Sequence, residues 1–543
     1  MPTEHATPEN PHSSQGDRFI PPTMGAHHSS QARTQAAEKD PRRAGLRAYL
    51  VLIVLTLLAF GPMLQSDFLW SEYDEVERTA FTSMQGWAEA WDIESIRRHD
   101  PLTITTYFLE SYLPFPQPTA HRGINLVLHL LAALLLLKTL EHLKLRGAFA
   151  AALVFALHPA VLQTLFWPGY RTEVVGLVFI LASLYFGIRN RSLSDYLVAL
   201  ALALIGSLLH PAALVIPGLL GLVIFFKSSG FHLYHYNRIL PFFCIALFAG
   251  AWTHSGQPPE TTPEELNFLS TVAQNLNFHL HHSLLPLDLG LFNEFSQQRT
   301  YNVGAATSVV AFLIFLPFYL LIAFNHRKHW ARGVFLGLSS FLLLSLYGMV
   351  QTGRFIDGSL AKEDHTLYVA LPAIIALVFC SIAGFFGQKK TFGPILWPAG
   401  FSFFLLIHIG VTASYSYALR DSTQMWQALA EDWKDSWQPR AALVESVQAN
   451  DSDLLSESEM IRTLEELLEA NPQRHRERIL LARTYRAAKQ RTNALREYRQ
   501  ILRETQPTDK FLQEAADFFD SLDLQWEADK VRQRIDNSRK SKG

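Results

Sequence analysis

In the segment FLWSEYDEVERT, four carboxylates, Glu72, Asp74, Glu75 and Glu77, fall within six residues. An acid a few residues beyond an apolar run can take a proton from an incoming hydroxyl at a membrane surface without the several kcal/mol cost of sitting in hydrocarbon. The same acids also suit the solvated start of a loop. Further on, His121, Asn125 and His129 recur every four residues, so on a helix they form one polar stripe roughly 12 Å long. Such a stripe must face protein or water, and it either bonds neighbouring helices or touches a substrate. In FALHPAVLQTLFWPGYRTEVVGLVF, His158-Pro159 closes one apolar run, Trp167 sits at interface depth, and Arg171 with Glu173 opens the next. A guanidinium there suits phosphate oxygens, which its planar fork binds two at a time. The alternative is that Arg171 snorkels or pairs with Glu173. Arg97, Arg98 and Arg354 are candidate further phosphate contacts or interfacial anchors. His279, His281 and His282 lack the spacing and the partner acid of a recognisable metal site, so no metal is assigned to them.

These residues need a membrane to position them. The 543-residue chain has a formal charge of only −2, yet its apolar residues are concentrated in long runs between residues 46 and 416. Near-neutral charge gives no electrostatic case for nucleic acid, and no Walker loop, dinucleotide fingerprint or zinc-spaced Cys/His set is present. The two cysteines, Cys244 and Cys380, lie inside apolar runs and cannot readily staple a secreted domain. Residues 1–44, rich in Pro, Ser, His and Gln, are expected to be a disordered tail followed by a signal-anchor-like first run.

With about 20 apolar residues per crossing, the sequence predicts about eleven spans, near 46–65, 123–140, 147–165, 172–188, 194–209, 211–226, 238–254, 304–325, 333–351, 366–386 and 395–416. His210-Pro211 marks either a turn between two spans or a kink in one. Lys and Arg collect at 42–47 and then in every second connection. By the positive-inside rule those connections are cytoplasmic, which puts the long loops 66–122 and 255–303, and everything after 416, outside.

After a linker over 418–437, the polar segment 438–543 is helical in pattern. Ala482, Tyr485, Ala494, Tyr498 and Pro507 fall at the spacings of a tetratricopeptide helix pair. A period of about 34 residues leads on to Ala516 and Ala528 and back to Met460, Leu464 and Pro472. The expected fold is thus all-α: a polytopic membrane helix bundle followed by a short α-solenoid, whose concave face could hold an extended segment of another chain. The alternative is a helical hairpin that packs on the membrane domain.

The order of an acidic pair after the first span, DPLTITTYFLE, HRGINLVLH, HPAVLQTLFWPGYRTE and a repeat-bearing tail resembles the transmembrane and tetratricopeptide repeat-containing protein O-mannosyltransferases, of the type C glycosyltransferases. The likeness runs from about residue 46 onward and is strongest over 66–190. It implies an enzyme that takes a sugar, a mannose-like hexose, from a polyprenyl-phosphate carrier and passes it with inversion to a hydroxyl on the extracytoplasmic side of the cell membrane. Asp74-Glu75 matches the family's acidic pair, with Asp74 the expected base, while His158, Arg171, Glu173, His121, Asn125, His129 and Arg354 fall to substrate and phosphate. The partners implied are the polyprenyl-phosphate sugar, a protein Ser/Thr or glycan acceptor and the bilayer; no cofactor is implied. Two positions depart from the pattern: Gln163 stands where Glu is usual, and Asp100 precedes Pro101-Leu102 where Arg is usual. These departures keep open a second expectation, a non-catalytic membrane scaffold that recruits partners through its repeats.

Overall fold

The computed structural model describes residues 41–66, 83–92, 101–189, 191–228, 236–254, 268–284, 319–323, 325, 328–351, 364–388, 393–432, 438–449, 455–504 and 509–542. Asp74, Glu75, Asp100, Arg97, Arg98 and Arg354 lie outside them. The chain divides into two units, Met1–Val51 and Leu52–Gly543. Among the described residues every regular element is helical.

In chain order the first helices are α1 (Pro41–Phe60), α2 (Met84–Ala90), α3 (Pro101–Glu110), α4 (Gln117–His142), α5 (Ala148–Ala156), α6 (Leu162–Phe166) and α7 (Arg171–Arg189). They are followed by α8 (Leu193–Leu209), α9 (Ile216–Lys227), α10 (Leu240–His254), α11 (Phe268–Leu284), α12 (His329–Gln351), α13 (Leu371–Phe386) and α14 (Gly393–Ala418). Among the described residues four helical stretches are long and apolar enough to cross a membrane: Gly45–Gln65, Pro118–His142, Pro168–Arg189 and Gly393–Ala418. The α5–α6 pair, bent by 48°, qualifies as a fifth if counted together. Shorter apolar helices include Leu193–Leu209, Pro211–Lys227, Trp330–Ser345 and Leu371–Phe386. At His210-Pro211 the chain breaks into α8 and α9, joined by a 3-10 turn over Pro211–Val215. Proline's missing N–H accounts for that break.

The sequence predicts a span near 147–165 with His158-Pro159 at its close, and the structure places a break at that proline within those limits. Helix α5 stops at Ala156, a 3-10 turn occupies Pro159–Val161, and α6 resumes at Leu162. Proline removes a hydrogen bond and crowds the preceding turn, so the carbonyls before it need other donors. They find them on neighbouring helices, as described below.

Beyond α14 lie α15 (Ser422–Asp432), α16 (Gln438–Ala449), α17 (Glu457–Ala470), α18 (His475–Ala487), α19 (Arg491–Glu504), α20 (Asp509–Asp520) and α21 (Gln525–Lys542). Helix α15 falls within the stretch read as a linker, with Trp426 fully buried. Ser456 and Glu459 form a reciprocal capping box that starts α17. Helices α18 and α20 begin 34 residues apart, as do α19 and α21, and α17 and α19. The small and aromatic positions that repeat with that period, Ala482, Tyr485, Ala494, Tyr498, Ala516 and Ala528, are all fully buried in one core, joined by Leu464 and flanked by Met460. Small residues let the paired helices approach, and the tyrosines fill the space between pairs.

Candidate active site

The break at residues 157–158 organises the site. Each backbone group it frees within the apolar bundle must find a partner, because an unsatisfied one there costs several kcal/mol. The Ala156 carbonyl accepts from His129 Nε2 on α4 at 3.1 Å, and the Leu157 carbonyl accepts from Thr412 Oγ1 on α14 at 2.7 Å. His158 Nδ1 accepts from the Ala160 N–H at 3.2 Å, while its Nε2 reaches the Ser283 carbonyl on α11 at 3.2 Å. Past α6, Asn125 Nδ2 donates to the Leu165 carbonyl at 3.1 Å, and Tyr107 Oη on α3 donates to the Pro168 carbonyl at 2.6 Å. The polar stripe of α4 therefore runs alongside the broken segment and bonds its backbone.

The partners also settle tautomers. His129 Nε2 donates to a carbonyl, so Nδ1 accepts from Tyr368 Oη at 2.9 Å. His158 takes the same form, accepting at Nδ1 and donating at Nε2.

Arg171, at the start of α7, has no exposed surface. Its Nε donates to Asn125 Oδ1 at 2.6 Å, Nη1 to Thr106 Oγ1 at 2.7 Å and to Glu110, and Nη2 to the His121 carbonyl at 2.9 Å. The guanidinium also lies over the Tyr107 ring, 4.5 Å from its centroid. Glu110 in turn bonds the His121 ring. One buried cation thereby ties α3, α4 and α7 together, balanced by one buried carboxylate. The sequence raises Glu173 as a possible partner, but Glu173 bonds His210 Nε2 at 3.0 Å, and both are buried. That pair depends on Gly176, where an added Cβ would come within 2.5 Å of the His210 ring.

A second cation fixes Ser66, the last described residue before the acidic stretch of the sequence. Arg122, 1% exposed, donates from Nη1 to the Ser66 carbonyl and stacks 4.1 Å over the Phe166 ring. Thr119 Oγ1 donates to the Leu64 carbonyl at 2.9 Å, and the Met63 N–H donates to Ser416 Oγ at 3.1 Å. Ser66, eight residues before Asp74 in sequence, is thus pinned to the same end of α4 that carries His121 and Asn125.

Part of the chain is similar to a protein of stated activity. Over 198 residues it is 25% identical to Protein O-mannosyl-transferase F38B6.6 of Caenorhabditis elegans. That match covers 32% of this chain and 28% of the worm protein. No family model matches the chain. A likeness of this size to the worm O-mannosyl-transferase suggests a glycosyltransferase and leaves donor, acceptor and mechanism to be proposed.

Of the residues singled out in the sequence, His121, Asn125, His129, His158, Arg171 and Glu173 all enter this buried polar framework. Among the described residues no group of three or more His, Cys, Asp or Glu is placed to hold a metal; His279 instead bonds Thr366 Oγ1 at 3.1 Å. Sequence reasoning missed Glu110, Thr106, Thr412 and His210. Their one signal is a polar or charged residue inside or at the end of a helix among apolar runs, which in a membrane needs a partner. Gln163 is buried as well, its Oε1 accepting from the His365 N–H at 3.0 Å. That contact gives Gln163 a place in the framework as an uncharged residue.

Proposed function

We propose that the chain is a membrane glycosyltransferase that moves a sugar from a polyprenyl-phosphate donor to a hydroxyl acceptor, protein Ser/Thr in the first instance, on the extracytoplasmic face. The observation that carries this reading is the pinning of Ser66, at the root of the acidic segment, to the framework of Arg171, Asn125, His121 and Glu110. Transfer with inversion needs a base on the acceptor hydroxyl and a preorganised environment for the charge of the departing phosphate. Asp74 is the base and Glu75 orients it or the acceptor. Arg171 acts first as the organiser of the wall, since a phosphate would have to displace Glu110 to reach its guanidinium. The match to the worm O-mannosyl-transferase supports the reaction class, and the 34-residue recurrence of helix pairs supports a tetratricopeptide solenoid that presents the acceptor.

The test uses the full chain and a polyprenyl-phosphate-linked hexose. Asp74→Asn keeps the shape and removes the proton acceptor, so transfer should fall by roughly 10²–10⁴, the usual cost of a lost general base. Glu72→Gln and Glu77→Gln should leave it nearly unchanged. Full activity in Asp74→Asn would sink the mechanism, and absence of any transfer by the parent protein would favour the scaffold reading instead.

A further inference from the structure

Away from the Arg171 framework, the other end of the same helices encloses a cavity of about 750 Å³. Its wall is mainly apolar, drawn from the later turns of α4 (Leu136, Leu140), the middle of α7 (Leu177, Leu181), and from α9, α12 and α13. On α4 the cavity begins at Leu136, eleven residues past Asn125, or roughly 16 Å along the helix axis. Its volume falls within the range of roughly 300–1,000 Å³ usual for small-molecule sites.

The rim differs from the wall. Lys144 and Arg146, both exposed, stand there on the connection between α4 and α5. That connection is a fixed turn. Lys144 has φ 57°, with its N–H bonded to the Glu141 carbonyl and the Leu145 N–H to the Leu140 carbonyl. Gly147, at φ 82°, packs so closely on α13 that a Cβ would lie 2.6 Å from that of Ala383. The Arg146 guanidinium lies next to Gly387, just past the end of α13. Trp330 and Phe385, 58% and 59% exposed, complete the rim.

We propose that this cavity takes one acyl chain of an anionic phospholipid of the surrounding bilayer between α4, α7, α12 and α13, with the lipid's phosphate at Lys144 and Arg146 and its second chain left in the bilayer. Three observations select that occupant. The wall offers little to a polar solute, and an apolar space of this kind does not hold water well. The cations are solvent-accessible and held by a rigid turn, as a negative headgroup requires, and basic pockets between membrane helices bind such headgroups. The exposed Trp330 marks the rim as interfacial, because its amphipathic ring favours headgroup depth. The site lies apart from the proposed reaction and does not depend on it.

The experiment follows thermal unfolding and native mass spectra of the full chain in neutral detergent, with phosphatidylglycerol, phosphatidylcholine or inorganic phosphate added. Phosphatidylglycerol should raise the midpoint by roughly 3 °C or more, as a ligand well above its Kd does, and should add one lipid mass. Phosphatidylcholine should do less, and inorganic phosphate nothing. In Lys144→Asn with Arg146→Gln the difference between the two lipids should vanish; asparagine suits the left-handed backbone at 144, so the turn should survive. Gly333→Leu fills the cavity from a position where a Cβ meets only ordinary contact with Phe226, and it should weaken both lipids. The proposal is overturned if the parent protein binds both lipids equally or neither. It is also overturned if the double variant keeps the phosphatidylglycerol preference, if Gly333→Leu leaves binding unchanged, or if inorganic phosphate reproduces the shift.

Discussion

His121, Asn125 and His129 show how one pattern in a sequence divides into distinct duties. Their spacing made a single stripe legible, but not its partners, because a carbonyl left bare by a proline 30 residues away has no signature of its own. Glu110 escaped for a related reason: it closes a short apolar helix, and only the fold brings it to Arg171. The Glu173–His210 pair offers a sharp check. Gly176→Ala forces the imidazole away and leaves a buried carboxylate without that partner, so the protein should lose roughly 2–4 kcal/mol, combining overpacking with a broken buried pair. Gly123→Ala is the control, since nothing lies within 4 Å of its added Cβ. Thermal midpoints of the two variants in the same detergent compare them, and equal midpoints would mean that His210 shifts without cost.

At the scale of elements, the tail was far more legible than the bundle. The period of 34 residues singled out alanines and tyrosines that lie buried together in one core. The third apolar run, 147–165, reads as one span closed by His158-Pro159, and the resumption as a short helix at Leu162 was not legible, because hydropathy reports an apolar run and not its continuity. Between successive pairs the tail also carries ion pairs: Arg483 to Glu514 at 2.7 Å joins α18 to α20, and Arg499 to Glu527 joins α19 to α21 at 2.5 Å. The Arg499 hydrogen bond holds Glu527 below the usual carboxylate range. Burial pushes Glu514 upward, but the Arg483 and Tyr498 hydrogen bonds outweigh it and leave it low as well. A carboxylate depressed in the folded state contributes stability above its unfolded pKa and loses it as pH falls through the folded value. The last helix pair should therefore loosen below about pH 4.3. Hydrogen exchange of α20 and α21, corrected for intrinsic rate, should accelerate between pH 5 and 3 in the full chain and show less pH dependence in Glu527→Gln. An unchanged pH dependence in Glu527→Gln would contradict this.

For the whole molecule, composition and charge alternation already indicated a bundle of apolar helices with a polar helical tail; they predicted about eleven crossings, and among the described residues four helices, or five with the bent pair, are long and apolar enough for one. Helices such as α8, α9 and α13 are apolar but short, so length alone does not assign each of them a crossing. On the predicted count of eleven, with the first span read as entering from the cytoplasm, reporter fusions after residues 230 and 440 should read cytoplasm and exterior respectively. A cytoplasmic signal at 440 would separate the repeats from the proposed reaction. The broken helix α5–α6 bears on how such a chain is made. The Leu157 carbonyl is capped by a hydroxyl 255 residues later in the chain, so this segment leaves the ribosome long before its last donor has been synthesised. Until α14 arrives, the Leu157 carbonyl lacks the donor it has in the folded chain, so we expect water or the insertion machinery to satisfy it. The seating of the joint between α5 and α6 is consequently a late event in biogenesis. In nascent chains arrested before residue 393, a cysteine at Ala156 should react with a water-borne thiol reagent and become protected once α14 is included; protection in the shorter chain would show that the joint closes without it.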